Sequence, residues 1–419
     1  MHPNALLELA TDLLHQVLQF QAPADRVVSD FFRQNRSLGN RERQTLAETT
    51  YHVLRQRALY QHLAQSGKGE MARRLVLLGW QGNDGFLRAA MNPQEQQWLE
   101  QVRQVDVNAL PAKLRHNLPD WLAEPLEAAL GDQFWPLVAS LNSPAPLDLR
   151  VNTFKARRED VQAGLKAAGI DAEITPHSPW GLRVDGKPAL QKAEPFTKGE
   201  VEVQDEGSQL LALLADAKRG EMVVDFCAGA GGKTLALGAS MRNTGRLYAF
   251  DTSGHRLAAL KPRLARSGLS NVYPIQIAHE RDERIKRLAG KIDRVLVDAP
   301  CSGLGTLRRN PDMKWRQSPE SVAELQVKQA AILASAARLL KPGGRLVYAT
   351  CSLLDVENEG IAEAFTAEHG RDFTAVPALD ALRKAHADAP DDLVRGNYLR
   401  LWPHQHGTDG FFAAVWERR

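Results

Sequence analysis

The sequence predicts an α/β protein in which a doubly wound parallel sheet follows an all-helical region and a small α+β insert. Three patterns carry this. From about residue 206 apolar runs alternate with helical stretches at the spacing of βα units. Residues 5–140 place apolar side chains at three- and four-residue steps and show no strand-like alternation. Between them, Asn142-Ser143-Pro144-Ala145-Pro146 is a turn-rich break.

In order, Leu6, Leu9, Leu13, Val17 and Phe20 mark a first helical stripe, and Leu46, Val53 and Tyr60 recur at seven-residue steps. Pro23, Gly39, Gly67, Pro93, Pro111, Pro119 and Gly131 punctuate this region, giving a helical domain over 1–140. In the insert, 141–205, Leu147–Asn152 alternates like a strand, 158–168 reads as a helix, and Ala172–Thr175 and Leu182–Val184 as short strands. In the last domain, 206–419, strands are expected at Met222–Phe226, Arg246–Phe250, Val272–Ile277, Ile292–Val297 and Arg345–Ala349. Helices are expected at Lys233–Met241, Ser253–Ser267 and Pro319–Leu340, and a final strand, Gly410–Trp416, as part of an antiparallel edge pair.

Length and composition narrow the class. A chain of 419 residues exceeds one ordinary core. With 43% hydrophobic and 25% charged residues it reads as globular, and no run of eighteen apolar residues suggests a membrane span. The start, Met-His-Pro-Asn, lacks a signal-peptide pattern, so a cytoplasmic location is expected. Three cysteines, 227, 301 and 351, suit reduced thiols rather than a disulfide framework. No metal is expected, because no Cys-x-x-Cys or His-x-x-x-His spacing exists. His404 and His406 read as solvated loop histidines. A net charge of +3 is uninformative, but its distribution is not. Ten Lys/Arg face four acids between Arg26 and Arg74, and ten face five between Arg281 and Arg316. Such clusters suit either phosphate contact or solvated helix faces.

The first strand of the sheet runs into Asp225-Phe226-Cys227-Ala228-Gly229-Ala230-Gly231-Gly232-Lys233-Thr234. Small residues at a helix N-terminus let a ligand approach the backbone. The phosphate-loop spacing fails, because Cys227 stands where its first glycine belongs. The dinucleotide spacing fails at Thr234. Asp251, ending the second strand, is placed to accept hydrogen bonds from a ribose, which both NAD and S-adenosylmethionine carry.

Two thiols stand at the ends of the fourth and fifth strands, in Asp298-Ala299-Pro300-Cys301-Ser302-Gly303 and Tyr348-Ala349-Thr350-Cys351-Ser352. A buried small hydrophobe is the common fate of a lone cysteine. Two at successive strand ends, one beside Asp-Ala-Pro, suit nucleophilic chemistry. One sulfur adds to a poorly reactive ring such as C6 of cytosine, and a second acid/base group helps release it. Asp298 is placed to hydrogen-bond the N3/N4 edge of such a base, which must be unstacked to be reached.

These stretches resemble the Nol/Nop/Sun family of RNA 5-methylcytosine methyltransferases, most closely its bacterial ribosomal RNA members. Further matching segments are Leu149–Thr153, Val203–Asp205, Arg308–Trp315 and Glu357–Glu359, so the resemblance covers 147–419. It implies a Rossmann-like class I methyltransferase sheet, S-adenosylmethionine as cofactor and RNA as partner. The helical region more loosely resembles the RNA-binding fold of NusB, and the insert an RRM-like fold. The resemblance further implies that Cys351 is the nucleophile and that Cys301 assists product release. It assigns Cys227, Ala228, Gly229, Ala230, Gly231, Gly232 and Lys233 to the methionine part of the cofactor and Asp251 to its ribose. Asp298 bridges cofactor and base, and Lys233 also reaches the cytosine. The family usually has Ala-Pro at 229–230, so a looser loop is expected. It usually has an acid near the adenine where this chain has His279, with Glu280 or Asp282 as alternatives. Ribosomal RNA is the first expectation for the target; transfer RNA, or a catalytically silent RNA-binding role, are the rivals. A monomer is the default oligomeric expectation.

Overall fold

The computed structural model describes every residue except Lys187 and Ala387. The described residues fall into two compact units: Met1–Pro144 with Thr306–Pro319, and Ala145–Gly305 with Glu320–Arg419.

The first unit is helical. The opening helix, Pro3–Val17, buries Leu6, Leu7, Ala10, Leu13, Leu14 and Val17; of the expected stripe, Leu6, Leu13 and Val17 are buried, Leu9 is half-buried and Phe20 lies beyond the helix end. Helices Asn40–Arg55 and Met71–Gly79 pack on it, and the last helix of this stretch is Phe134–Leu141. The segment Thr306–Pro319 is built into the same unit. Its Trp315 donates from Nε1 to Leu54 O (2.9 Å), and Lys314 Nζ to Arg55 O (2.9 Å) and Asn142 Oδ1 (3.3 Å). They thereby satisfy carbonyls that the end of helix Asn40–Arg55 leaves without intrahelical donors. Asp312 accepts from the Ala24 N–H at the start of helix Ala24–Gln34 (3.1 Å), and Arg55 donates to Arg308 O (2.8 Å). Arg55, Arg308 and Lys314, counted in the basic clusters, are therefore not surface charges but buried, at 9%, 5% and 2% exposure. Burial, with Arg55 close by, pushes the Lys314 ammonium down to about 7.

The second unit holds two sheets. The smaller comprises β1 (Leu147–Val151), β2 (Ala172–Ile174), β3 (Gly181–Val184) and β4 (Val201–Val203), antiparallel in the order β2-β3-β1-β4. Three-residue β4 was not among the expected strands, being too short to display alternation. Helix Arg158–Ala167 covers this sheet through Val161 and Leu165. Asn152 joins it to the rest of the unit, while Arg150 and Arg183 tie its own strands together. Asn152 Nδ2 donates to Gly199 O (2.9 Å) and to Ser267 O (3.0 Å), at the end of helix Gly254–Ser267. Arg150 Nε donates to Gln204 Oε1 (2.6 Å), and Arg183 holds Asp148 with two bonds (2.6 and 2.9 Å).

The larger sheet contains β5 (Met222–Asp225), β6 (Arg246–Asp251), β7 (Val272–Gln276), β8 (Ile292–Asp298), β9 (Leu340–Thr350), β10 (Phe373–Val376), β11 (Val394–Arg395), β12 (Tyr398–Leu401) and β13 (Phe411–Arg418). Its order is β11-β12-β13-β9-β8-β5-β6-β7, with β10 also paired to β13. Strands β5 to β9 run parallel; β13 is antiparallel to β9. The expected edge position of the last strand is corrected: β13 lies inside the sheet between β9 and β12. Its first six residues, Phe411–Trp416, are all buried, as an interior strand covered on both faces requires. From β5 the chain steps one way to β6 and β7, then returns to place β8 on the other side. The crevice beyond the ends of β5 and β8 is the switch point where such sheets bind ligands. No helix among the described residues is long and apolar enough to cross a membrane.

Candidate active site

Three loops meet at that crevice. The loop after β5 leads into helix Gly232–Ser240. Gly229 and Gly231 take φ of +57° and +83°, conformations costly for other residues. A Cβ on Gly231 would lie 2.1 Å from Leu260 Cδ1. Hydrogen bonds hold the loop along its length. Ala228 N donates to Phe250 O (2.8 Å), Gly229 N to Asp251 Oδ2 (2.8 Å), Gly231 N to Ala228 O (2.9 Å) and Arg263 Nη1 to Ala230 O (2.7 Å). Asp251, ending β6, also accepts from Ser253 N (2.7 Å). A carboxylate has about four acceptor positions, so two backbone donors orient Asp251 while leaving it capacity for hydroxyls. Beneath the loop Asp225 is fully buried and accepts from Thr234 Oγ1 (2.7 Å); burial pushes its carboxyl up to about 7 against that hydrogen bond. Burial, then the Asp225 charge, also pushes the Cys227 thiol well up, so at neutral pH it stays protonated and a poor nucleophile.

Lys233, in the first turn of the helix, reaches across the crevice to Asp298 at the end of β8 (Nζ–Oδ2 2.7 Å). Its ammonium lies 5.9 Å from the centre of the Phe411 ring. Burial alone would lower its pKa, but Asp298, with Cys351 and Asp225 beyond, holds it above its ordinary value.

Asp298 pairs with Ala349 in the β8–β9 register, so the loops after these strands emerge side by side. Cys301 Sγ and Cys351 Sγ are 3.5 Å apart, both half-buried. The hydrogen bond to Cys351, burial and the nearby Glu357 carboxylate push the Cys301 thiol well up. The predicted residues Cys301, Cys351, Asp298, Lys233 and the 227–232 loop are thus brought together around the switch point, with Asp251 beside the loop.

His279 lies two residues beyond Ile277, whose N–H donates to Asp251 O (3.0 Å). It is exposed in the turn after β7, where its Nδ1 accepts from Arg281 N (3.1 Å). Asp282 caps the next turn, accepting from Ala278 N and Arg284 N (2.9 Å each), and those bonds hold its carboxyl below the usual range. His406 corrects another expectation: it is buried, accepting from Trp402 N (2.9 Å) and contacting Asp392 O (3.0 Å). No group of His, Cys, Asp and Glu fit to hold a metal occurs among the described residues.

Residues that the sequence reading left without a role complete the site. Glu357, Ser302, Ser352 and Gln329 form a buried network behind the two sulfurs. The repeated Cys-Ser pair at two strand ends was the signal that could have found it.

The profile of the family described as 16S rRNA methyltransferase RsmB/F matches residues 212–417, and that of its ferredoxin-like domain matches residues 118–191. A Bacillus subtilis protein described as a probable ribosomal RNA small subunit methyltransferase B is 30% identical over 96% of this chain and 89% of its own length. The chain belongs to the RsmB/F methyltransferase family. Its Synechocystis relative of the same description is 36% identical, the match covering 72% of this chain and 66% of the relative. Among solved structures, PH0851 superposes on the RsmB/F chain with a TM-score of 0.81 at 27% identity, covering 100% of this chain and 99% of its own. A methyltransferase homologue from Pyrococcus horikoshii gives 0.63 at 28%, covering 75% and 100%. Both agree with an α/β methyltransferase fold built on a mixed sheet.

Proposed function

We propose that the protein transfers a methyl group from S-adenosylmethionine to C5 of a cytosine in small-subunit ribosomal RNA, with Cys351 forming a transient bond to the base. The observation that carries this is the pair of sulfurs 3.5 Å apart at neighbouring strand ends, next to the Lys233–Asp298 pair. A simple methyl transfer to an already nucleophilic atom would need no second thiol. The relatives described as ribosomal RNA small subunit methyltransferases support the choice of RNA.

The residues present fit the cofactor. The glycine loop at a helix N-terminus gives close backbone approach, and the oriented Asp251 carboxylate retains acceptor capacity for ribose hydroxyls. When bound, S-adenosylmethionine supplies an electrophilic methyl group. The Cys351 thiol gives its proton to solvent and its sulfur adds to C6 as a thiolate, and the ring electrons move so that C5 takes the methyl. Asp298 and Lys233, held together across the crevice, face the polar edge of the pyrimidine. On release the C6–S bond breaks and the C5 proton leaves. Cys301, kept as a thiol, gives its proton to the departing Cys351 sulfur, and the sulfur so uncovered accepts the C5 proton. The double bond re-forms and both thiol groups return to their starting protonation. The helical unit, which we read as NusB-like, would hold surrounding RNA.

Bisulfite sequencing of ribosomal and transfer RNA from a strain lacking the protein tests the reading. One cytosine of small-subunit rRNA should lose its protection and regain it on complementation. Loss confined to transfer RNA would overturn the substrate, and unchanged 5-methylcytosine throughout would overturn the reaction.

A further inference from the structure

Glu357 is fully buried in the turn after β9, within the short helical stretch Asp355–Glu357. Its carboxylate is a junction. Oε1 accepts from Ser302 N (2.8 Å) and Gln329 Nε2 (3.0 Å); Oε2 accepts from Ser302 Oγ (2.5 Å) and from Ser352 Oγ. The two serine hydroxyls are themselves 3.1 Å apart. Ser302 follows Cys301 and Ser352 follows Cys351, so one carboxylate holds the residue next to each sulfur. Three further bonds tie the same network. Tyr348 OH donates to its backbone carbonyl (2.7 Å), Gln329 Nε2 also donates to Pro300 O (3.0 Å), and Asn358 Nδ2 donates to Ser352 O (3.0 Å).

A buried carboxylate is costly, and replacing one by a well-packed neutral group is often neutral or stabilising. The cost is understandable if the geometry that the anion imposes is needed. All four of these hydrogen bonds are made by neutral donors to a charged acceptor, a class worth about twice an ordinary hydrogen bond. Four such bonds from two loops and helix Pro319–Ala337 leave the turns little freedom to part.

We propose that Glu357 is a positioning residue: it clamps the two Cys–Ser turns together and so keeps the Cys301 thiol within reach of the Cys351 sulfur when product must be released. This rests on the reading of Cys351 as nucleophile and Cys301 as its partner, but the clamp itself is testable without RNA or turnover. The Glu357 charge acts in the same direction electrostatically, because it helps keep the Cys301 proton in place.

Phenylarsine oxide binds two thiols through one arsenic and so reports their proximity. In the full-length protein without RNA, Glu357→Gln should weaken its binding at least tenfold, with Cys301→Ala as the single-thiol reference. With RNA and S-adenosylmethionine, Glu357→Gln should then accumulate a denaturation-resistant protein–RNA adduct while multiple-turnover rate falls at least tenfold, the behaviour of a defect in release. A destabilised fold would instead lower adduct and product together. Should Glu357→Gln not fold, the double change Ser302→Ala with Ser352→Ala keeps the carboxylate, frees the turns and should give the same two results. Unchanged arsenical binding in a folded variant overturns the clamp. Weakened binding without adduct accumulation overturns its role in release. If instead Cys351→Ser retains methylation while the arsenical result holds, the nucleophile assignment falls and the clamp stands.

Discussion

The two Cys–Ser turns are nearly the same in sequence, yet their surroundings differ. Cys301 follows β8, two residues after an alanine whose N–H donates to Ala349 O (2.9 Å), and the hydrogen bond to Cys351, burial and the Glu357 carboxylate push its thiol up. Cys351 follows β9, close enough to the Lys233 ammonium to interact with it electrostatically. An anion therefore acts on one sulfur and a cation lies near the other. The neighbours of two sulfurs 3.5 Å apart are therefore unequal, which is the basis of the proposed division of roles.

The largest effect expected from that asymmetry comes from removing either sulfur. Cys351→Ala should abolish both methylated product and covalent adduct, because the sulfur that adds to C6 is gone. Cys301→Ala should lower turnover on the order of 10²–10⁴-fold, the usual contribution of a positioned acid/base group, while trapping an adduct that survives denaturation. Gel analysis with labelled RNA distinguishes them, and the reverse pattern would exchange the two roles.

Much of this site was legible because glycine, aspartate and cysteine at strand ends are local signals. The loop 227–233, Asp251, Asp298 and both sulfurs lie at ends of strands that alternation and apolar runs reveal. What could not be read depends on distant pairing. Glu357 acts through two loops, one of them 55 residues away. The segment Arg308–Trp315 matched a family motif without a visible role; its Lys314 and Trp315 cap a helix end more than 250 residues earlier in the chain. Charge counting misleads at Arg55 and Lys314 for the same reason: a cation bonded to backbone carbonyls can be buried. Likewise β13 was read as an edge strand because strand order within a sheet is not written in its residues.

A smaller effect tests the cation side of the comparison. Lys233→Met keeps much of the stem that lies by Phe411 but removes the charge facing Asp298. It should lower single-turnover methylation about 10²–10³-fold, comparable to losing one preorganised charge-stabilising donor, with adduct formation falling in parallel. If adduct forms normally and only release slows, Lys233 serves Cys301 rather than Cys351, and the proposed division of labour is wrong.

The mildest perturbation acts on the distance between the turns rather than on their charges. Gly305 ends the Cys301 loop; its N–H donates to Cys351 O (2.8 Å), and its own carbonyl accepts from Gly410 N (2.9 Å) just before β13. A Cβ there would fall 2.1 Å from Gly410 O and 2.8 Å from Cys351 O, both backbone atoms that cannot rotate aside. Gly305→Ala must therefore push the Cys301 loop away from the Cys351 turn or strain both. Overpacking of this kind costs about 1–3 kcal/mol, readable as a lowered midpoint in urea with unchanged slope. Because Glu357 still holds both serines, arsenical binding should weaken less than in Glu357→Gln. An equal or greater loss of thiol proximity in Gly305→Ala would mean that backbone contact, not the buried carboxylate, sets the spacing of the two sulfurs.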